Sequence, residues 1–281
     1  MYSIQLTIGD DSLILDYAHG CIISTIDGLT GVTAKLTTVQ SSTNLGVAVQ
    51  KSSVSGQTLT VRGYILDHNV EAKRALLSFL KPAAEGTITV NNLPVDGAGR
   101  VTPYRWTEFV VKTTPKITQE KHAKFSFELF QPNPTWRAMD DVRVTVSTDP
   151  FSPVTATVDG EAGADFEWYV YAIAPINNLS LIVTTPDLWH GVLAFTNLQK
   201  IDPNGVQGTI YIRRENGRLK ATIGNTSILK CLALSPYLLT ALPPGECEFK
   251  GMATNTSGAN VECVTMLTYY PSYVGVVLDG I

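Results

Sequence analysis

The sequence has 281 residues, of which 44% are hydrophobic and only 16% are charged, with a formal net charge of −4. This balance excludes a disordered chain. It also excludes nucleic-acid binding driven by positive charge, because neutralising a phosphate backbone requires clustered lysine and arginine. A chain of this length is long for one hydrophobic core, so we expect two domains of ordinary size.

No stretch of the sequence has the pattern of a membrane-targeted protein. The first residues, MYSIQLTIGDD, lack the basic cluster and the continuous apolar run of a secretory signal. No later apolar run reaches the length that spans a bilayer. We therefore expect synthesis in a cytoplasm and no membrane insertion.

The first part of the chain is predicted to be mostly strand. Ile4, Leu6 and Ile8 alternate with polar residues before a turn at Gly9, and an apolar run follows, a pattern typical of a hairpin. The segment QTLTVRGYIL, residues 57–66, has the same period of two. The polar residues 39–46 between these strands indicate a long loop or a projecting hairpin arm.

One segment of the first half predicts a helix instead. HNVEAKRALLSFLKP has helix-forming residues from Val70 to Leu80, a possible cap at Asn69 and a proline stop. Leu76, Leu77 and Leu80, with Val70 and a lysine earlier, are expected to form a mainly apolar stripe. Such a stripe is most simply buried across a sheet.

The stretch FSFELFQPNPTW, residues 125–136, begins with clean alternation and then stops at two prolines. Proline cannot donate to a sheet ladder, so the strand is expected to end here. One interpretation is an ordinary loop within a single large domain. The other is a boundary between a domain of residues 1–133 and a domain of residues 134–281.

The second half is predicted to consist of short strands with glycine, proline and asparagine between them, which is typical of a β-sandwich or jelly roll. Asn216–Gly217 is expected to form a type I′ hairpin turn. The fold class is therefore mainly β. The predicted strands contain VRVTV, VTATV, FEWYVYAI, LSLIV, GVLAF, GTIYI, RLKATI and VECVTML.

No sequence motif assigns catalysis, a cofactor or a metal, and we predict no catalytic, cofactor-binding or metal-binding residues. Neither H-E-x-x-H nor G-x-S-x-G occurs. The most enzyme-like pair is Asp187 and His190, beside Trp189, whose structural alternative is a turn with one aromatic packed inward. A hydrolase of cell-wall polymer would need this pair. The four histidines stand apart in sequence at His19, His68, His122 and His190.

Paired carboxylates for glycoside hydrolysis are available in VDGEAGADFE, at Glu161, Asp165 and Glu167. Such chemistry depends on a spatial separation that the sequence does not give. A loop rich in glycine and acidic residues is more often simply exposed to solvent. We therefore assign these residues no role.

The cysteines show no metal-binding spacing and are expected to be buried free thiols. Cys247 and Cys263 are candidates for neighbouring strands, where a bridge is the alternative. A reducing compartment argues against that bridge. The other two are Cys21 and Cys231.

Four aromatic residues of the second half are a possible sugar-stacking platform, because flat rings present apolar faces to pyranose C–H groups. This makes a carbohydrate-binding or adhesin-type β-sandwich the second functional hypothesis. Aromatic residues in a sandwich more often belong to the core. The four are Trp168, Tyr169, Tyr171 and Trp189.

The order of features along the chain resembles the distal tail proteins, often called Dit, of phages with long non-contractile tails. The first half contains, in order, IISTIDGLTG, VRGYIL, AKRALLSFLKP, TITV, YRWTEFVV and FSFELFQPNPTW. The second half contains IYIRRENGRLKATIGNTSIL followed by YLLTALPPGECEF. Nearly the whole chain is covered by the resemblance, which rests on the order and spacing of loose motifs.

The resemblance implies a subunit of a homo-hexameric hub with no enzymatic activity, located in the virion at the distal end of the tail. Residues 1–133 would form a β-barrel-like, ring-forming domain with one helix, on the side of the tail tube. Residues 134–281 would form a peripheral galectin-like β-sandwich. The implied partners are the major tail tube protein, the tail-associated tip protein and, in many phages, receptor-binding proteins.

The segment GVTAKLTTVQSSTNLGVAVQ, residues 31–50, is a candidate for contacts between neighbouring subunits or with the tail tube. Deletion of Gln40 to Asn44 is expected to interfere with ring formation if the contact is between subunits.

Overall fold

The structure, a computed structural model, describes residues 2–30, 34–40, 47–67, 69–92, 102–149, 152–215 and 218–276. These residues form a mainly β protein, as predicted. The chain divides into two compact units, Met1–Met139 with Tyr273–Ile281, and Asp140–Ser272. The assignment of separate roles to residues 1–133 and 134–281 stays a prediction.

The first unit is built on a nine-stranded sheet among the described residues, with strands in the order β2-β1-β7-β8-β9-β6-β3 and two short strands, β10 and β21, off this path. The bounds are β1 Tyr2–Ile8, β2 Asp11–Leu15, β3 Cys21–Asp27, β6 Gln57–Ile65, β7 Glu85–Asn92, β8 Thr102–Ile117, β9 Ala123–Gln131, β10 Trp136–Ala138 and β21 Ser272–Tyr273.

The predicted N-terminal hairpin is confirmed. β1 and β2 pair antiparallel, and Ile8 lies opposite Asp11, so the turn consists of Gly9 and Asp10. Gly9 has a φ of +60°, a left-handed conformation that glycine adopts without steric cost. Ile4 and Leu6 of β1 are completely buried in the core of the unit.

Strand β9 contains the FSFELF alternation, and the structure confirms it. The odd-numbered residues from Ala123 to Gln131 are buried, and the residues between them are partly or fully exposed. The strand pairs with β6 along its length, from Ile65 opposite Ala123 to Gln57 opposite Gln131. A period of two therefore places the phenylalanines in the core.

Gln131 is the last residue of β9, and its polar side chain is fully buried. Its Nε2 donates to Thr107 Oγ1 at 2.8 Å, and its Oε1 accepts from Gln57 Nε2 at 2.8 Å, which compensates the burial of the amide. After the two prolines the chain forms β10, in which Arg137 lies opposite Trp106 of β8. The chain thus adds one more short strand to the first sheet after the proline stop.

The single described α-helix, α1, spans Val70–Phe79 and confirms the prediction, with Leu80 as its C-cap. The Asn69 side chain accepts a hydrogen bond from Ala72 N at 3.0 Å, as an N-cap residue does. Leu76 and Leu80 are fully buried. The predicted apolar stripe was too wide, because Val70 and Leu77 are more than half exposed. These two residues are seven positions apart, so they lie on the same face of the helix, and that face points to solvent.

Strands β4, Ala34–Gln40, and β5, Val47–Val54, pair with each other in a separate two-stranded sheet. Of the two alternatives predicted from the sequence, a long loop or a hairpin arm, the pairing of these strands supports the hairpin. The turn within it, residues 41–46, lies outside the described residues, as do residues 31–33 and the side chains of both strands.

The second unit is a sandwich of two antiparallel sheets. One has six strands in the order β11-β20-β13-β16-β17-β18, and the other has four in the order β12-β19-β14-β15. The bounds are β11 Val142–Ser147, β12 Val154–Val158, β13 Phe166–Ile176, β14 Asn178–Thr184, β15 His190–Phe195, β16 Val206–Glu215, β17 Arg218–Ile223, β18 Thr226–Ser227, β19 Gly245–Thr254 and β20 Cys263–Tyr269.

One hydrophobic core lies between these two sheets. Trp168 and Val170 of β13 belong to the same buried cluster as Leu181 of β14 and Phe249 of β19, which are in the opposite sheet. This arrangement agrees with the predicted sandwich. The predicted type I′ turn at Asn216–Gly217 lies outside the described residues. The two strands that flank it, β16 and β17, pair with each other antiparallel.

Candidate interaction surfaces

The β4–β5 hairpin is the first candidate surface, because most of it overlaps the segment 31–50 proposed for subunit contacts. Its register runs from Ala34 opposite Val54 to Gln40 opposite Val47, with a shift between Thr37 and Thr38. Among the described strands it pairs with none of the nine-stranded sheet. An isolated two-stranded hairpin is marginally stable in water, so a neighbouring surface is expected to support it.

The second candidate surface is the outward face of the six-stranded sheet. Along β13, Phe166, Trp168 and Val170 point into the core, so the alternation turns Tyr169 and Tyr171 to the opposite face. Tyr211 of the neighbouring strand β16 lies opposite Tyr169. We call this surface the tyrosine face.

Four side chains of the tyrosine face form a polar network. Tyr169 Oη donates to Glu167 Oε2 at 3.1 Å, and Arg213 Nε contacts Glu167 Oε1 at 3.1 Å. The Tyr169 and Tyr211 rings lie 4.9 Å apart, tilted by 41°. The network therefore fixes two aromatic rings on a sheet surface, with little rotamer freedom left to lose on binding.

Burial and the Glu167 carboxylate raise the pKa of both tyrosines in this network. For Tyr169 and Tyr211 desolvation is the larger cause, followed by the interaction with Glu167. A raised phenol pKa keeps the hydroxyl protonated at neutral pH. The single hydroxyl hydrogen of Tyr169 is already donated to Glu167, so this oxygen can only accept a further hydrogen bond.

Exposed apolar side chains continue the tyrosine face beyond this network. Tyr171 lies opposite Val264 of β20, and Met266 lies opposite Tyr169, so the exposed groups are contiguous. Aromatic, methionine and arginine residues are enriched in protein interfaces. The exposed fractions are 52% for Tyr171, 56% for Ile173, 59% for Val264 and 36% for Met266.

The structure gives Asp187 and His190 different partners. Asp187 accepts a hydrogen bond from the Thr185 hydroxyl, which lowers the pKa of its carboxyl group. The His190 ring packs against the Tyr237 ring, with centroids 4.2 Å apart. Asp187 therefore lies in the turn between β14 and β15, as the alternative interpretation expected, whereas His190 is the first residue of β15. Trp189 between them is 40% exposed and so is not the inward-packed aromatic of that interpretation.

Of the acidic residues in the Gly-rich segment, Glu161 is exposed and Asp165 is partly buried. Glu167 belongs to the tyrosine face, where Arg213 neutralises it. Among the described residues, no group of three or more histidine, cysteine, aspartate or glutamate side chains is arranged to hold a metal ion.

The proposed aromatic strip does not form one platform. Trp168 is fully buried, and its Nε1 donates to Thr265 Oγ1 at 3.3 Å inside the sandwich. Its inclusion was wrong, because it occupies an inward position of β13. Tyr169 and Tyr171 lie on the tyrosine face, whereas Trp189 lies in the β14–β15 turn. Sequence reasoning missed Tyr211, which alternation along β16 would have identified.

All four cysteines are buried free thiols. Cys247 is on β19 of the four-stranded sheet and Cys263 on β20 of the six-stranded sheet, so the idea that they lie on neighbouring strands was wrong. Burial raises the pKa of Cys21 and of Cys263 to about 11, and also raises that of Cys247. These three cysteines are therefore mostly protonated thiols, and only a small fraction is in the reactive thiolate form.

We expect the native thiols to react slowly with Ellman's reagent at pH 8. A pKa of about 11 instead of 9.0 lowers the thiolate fraction of Cys21 and Cys263 about a hundredfold, and burial restricts access further. The same measurement in denaturant is the control and should titrate all four thiols rapidly. Rapid reaction of the folded chain would contradict the burial described here.

No helix among the described residues is long and apolar enough to cross a bilayer.

Comparisons with known sequences give no relationship: no protein-family model and no curated protein matches the chain. Solved structures do match. The Dit protein of phage SPP1, described as a paradigm of the hub adsorption apparatus in phages that infect Gram-positive bacteria, aligns with a TM-score of 0.64 and 10% identity. The alignment covers 97% of this chain and 99% of that chain.

Two chains from baseplates in their activated conformations also match. One is from the phage P2 baseplate with Ca, with a TM-score of 0.44, 11% identity and coverage of 98% of this chain and 99% of that chain. The other is from the phage p2 baseplate with Sr, with a TM-score of 0.40, 12% identity and coverage of 95% and 97%. The match to SPP1 Dit shows that this chain shares the fold of that protein along nearly its entire length.

Proposed function

We propose that this chain is a structural component of a phage tail tip, the distal hub that connects the tail tube to the host-adsorption apparatus. One observation carries the proposal: the fold matches that of SPP1 Dit across 97% of this chain and 99% of the other. Because both units are included, the match covers a complete two-part architecture and not one common sandwich. The motif order in the sequence independently supports the same assignment.

In this proposal the first unit forms a homo-hexameric ring on the side of the tail tube. Its nine-stranded sheet has its own buried core, so the unit is rigid enough to act as a building block. The β4–β5 hairpin supplies a contact to the neighbouring subunit, which gives this marginal element the support that it needs. The ring would contact the major tail tube protein on one side and the tail-associated tip protein on the other.

The second unit is proposed as a peripheral, galectin-like sandwich. Its tyrosine face offers fixed aromatic rings, exposed apolar side chains and a partly exposed ion pair between Glu167 and Arg213, the composition of a protein-binding surface. Receptor-binding proteins are the partners that fit a peripheral position. The protein acts by assembly and docking and requires no catalytic residue or cofactor.

The proposal places the protein in the virion, at the distal end of the tail, after synthesis in the host cytoplasm. Its test is disruption of the gene in the phage that carries it. We expect the disrupted phage to give particles without intact tail tips and to lose infectivity, and the purified chain added to the deficient lysate to restore both. Normal tips and undiminished infectivity after disruption would contradict the proposal.

A further inference from the structure

A cleft of about 470 Å³ lies at one end of the four-stranded sheet in the second unit. One wall is the turn between β14 and β15, and the other is the Pro-Pro-Gly segment that leads into β19. The volume is within the range of small-molecule sites, about 300–1,000 Å³. Its lining residues are Thr185, Pro186, Asp187, Trp189, Pro243, Pro244, Gly245 and Glu246.

The Trp189 ring gives this cleft a flat apolar surface. The residue is 40% exposed, which is unusual for a side chain of this size. Gly191 allows the ring to lie against the backbone: a Cβ at position 191 would be 2.8 Å from Trp189 Cη2. The ring therefore packs on the backbone of β15, and the residue as a whole remains partly exposed where it lines the cleft.

Two carboxylates accompany the ring. Asp187 is fixed by hydrogen bonds from the Thr185 hydroxyl and from the backbone N–H of Trp189. Glu246 lines the opposite wall and is exposed. Ionised carboxylates only accept hydrogen bonds, and each has several lone-pair directions, so both retain capacity for hydroxyl donors.

We propose that this cleft binds a pyranose sugar that carries no negative charge. One face of the sugar would stack on Trp189 through its C–H groups, and its hydroxyl groups would donate to Asp187 and Glu246. The described lining contains carboxylates and no lysine, arginine or histidine. A uronate or a phosphorylated sugar would therefore meet like charge without compensation, which selects against it.

This inference goes beyond the hub function, since a tail hub requires no sugar site. It also relocates the carbohydrate hypothesis from a strip of four aromatics to Trp189 alone. The sugar-site proposal and the hub proposal can fail independently of each other. A Trp189→Ala chain that assembles normal tail tips but binds no sugar would support both, whereas failure of the hub proposal would leave the binding measurement unaffected.

The test is calorimetric titration of the full chain with four probes: cellotetraose, maltotetraose and tetra-N-acetylchitotetraose, which are neutral, and tetragalacturonate, which is anionic. We expect at least one neutral probe to bind and tetragalacturonate not to bind. Trp189→Ala should abolish detectable binding, and Glu246→Gln should weaken it about tenfold, the effect of losing one charge-assisted hydrogen bond. The control variant Tyr171→Ala removes an exposed aromatic from the tyrosine face and should bind normally.

Absence of binding by every neutral probe at millimolar concentration would overturn the proposal, as would equal binding by tetragalacturonate. Loss of binding in Tyr171→Ala together with retention in Trp189→Ala would move the site to the tyrosine face and would overturn the assignment to the cleft. Urea unfolding curves of each variant show whether a loss of sugar binding comes from removal of the binding site or from unfolding of the protein. Trp189 is partly exposed, so its replacement is expected to shift the midpoint of the curve but to leave the chain folded in the absence of urea.

Discussion

Replacement of Trp168 by alanine is expected to lower the free energy of unfolding of the second unit by about 3–5 kcal/mol. The side chain is completely buried in the core between the two sheets, where it is among the largest buried groups. Its removal leaves a cavity that rigid sheets on both sides cannot close. Thr265, which accepts the indole hydrogen bond, keeps its own bond to Val146 O at 2.8 Å, so the loss is mainly one of packing.

Equilibrium urea denaturation of the full chain measures this effect. Trp189→Ala is the matched control, because it removes the same side chain from a partly exposed position, and we expect a clearly smaller loss than for Trp168→Ala. A Trp168→Ala variant no less stable than the control would show that the inward and outward positions of β13 had been assigned incorrectly.

Removal of the β4–β5 hairpin is expected to convert a ring of six subunits into single folded chains. In this variant a short glycine-serine linker replaces residues 34–54. The strands of the hairpin form their own sheet, and the nine-stranded sheet uses neither of them, so the core of the first unit should persist. What the variant loses is the proposed contact with the neighbouring subunit.

Light scattering of the purified variant measures the number of chains, and circular dichroism measures the retained strand content. The matched control replaces Gln119, Glu120 and Lys121 with serine, which changes an equally polar, exposed connection between β8 and β9 and should leave rings intact. Intact rings without the hairpin would count against the subunit contact, and would direct attention to contacts with the tail tube.

The strands and the helix were predictable because their signals are local. FSFELF has a period of two that only a half-buried strand explains, and the structure buries every odd residue of β9. The helix carries a cap at Asn69 and a proline stop within a short stretch, and it begins at the predicted residue. Each of these features is decided by residues within a turn or two of one another.

The features that escaped prediction depend on which strands become neighbours. Tyr169 meets Tyr211 because β13 pairs with β16, a partner from a distant part of the sequence. Cys247 and Cys263 were candidates for neighbouring strands, but their strands β19 and β20 lie in opposite sheets of the sandwich. The helix stripe was overestimated for a related reason: leucines at adjacent positions face different directions, and only the tertiary contact chooses between them.

Only one wall of the candidate sugar cleft could be predicted from the sequence. The sequence identified Trp189 as a ring of interest and Asp187 as its neighbour. Pro243, Pro244 and Glu246, which form the opposite wall, come from a segment more distant in sequence. Their approach follows from the pairing of β14 with β19, which also places Thr184 opposite Glu248.

The measurement that tests the central claim most directly is the absolute mass of the purified chain by light scattering, with negative-stain images of the same peak. We expect a mass of six chains and rings with six-fold symmetry and an open centre, either alone or after addition of isolated tail tubes. A monomer under both conditions, with no rings in the images and none on the tube ends, would contradict the hub assignment.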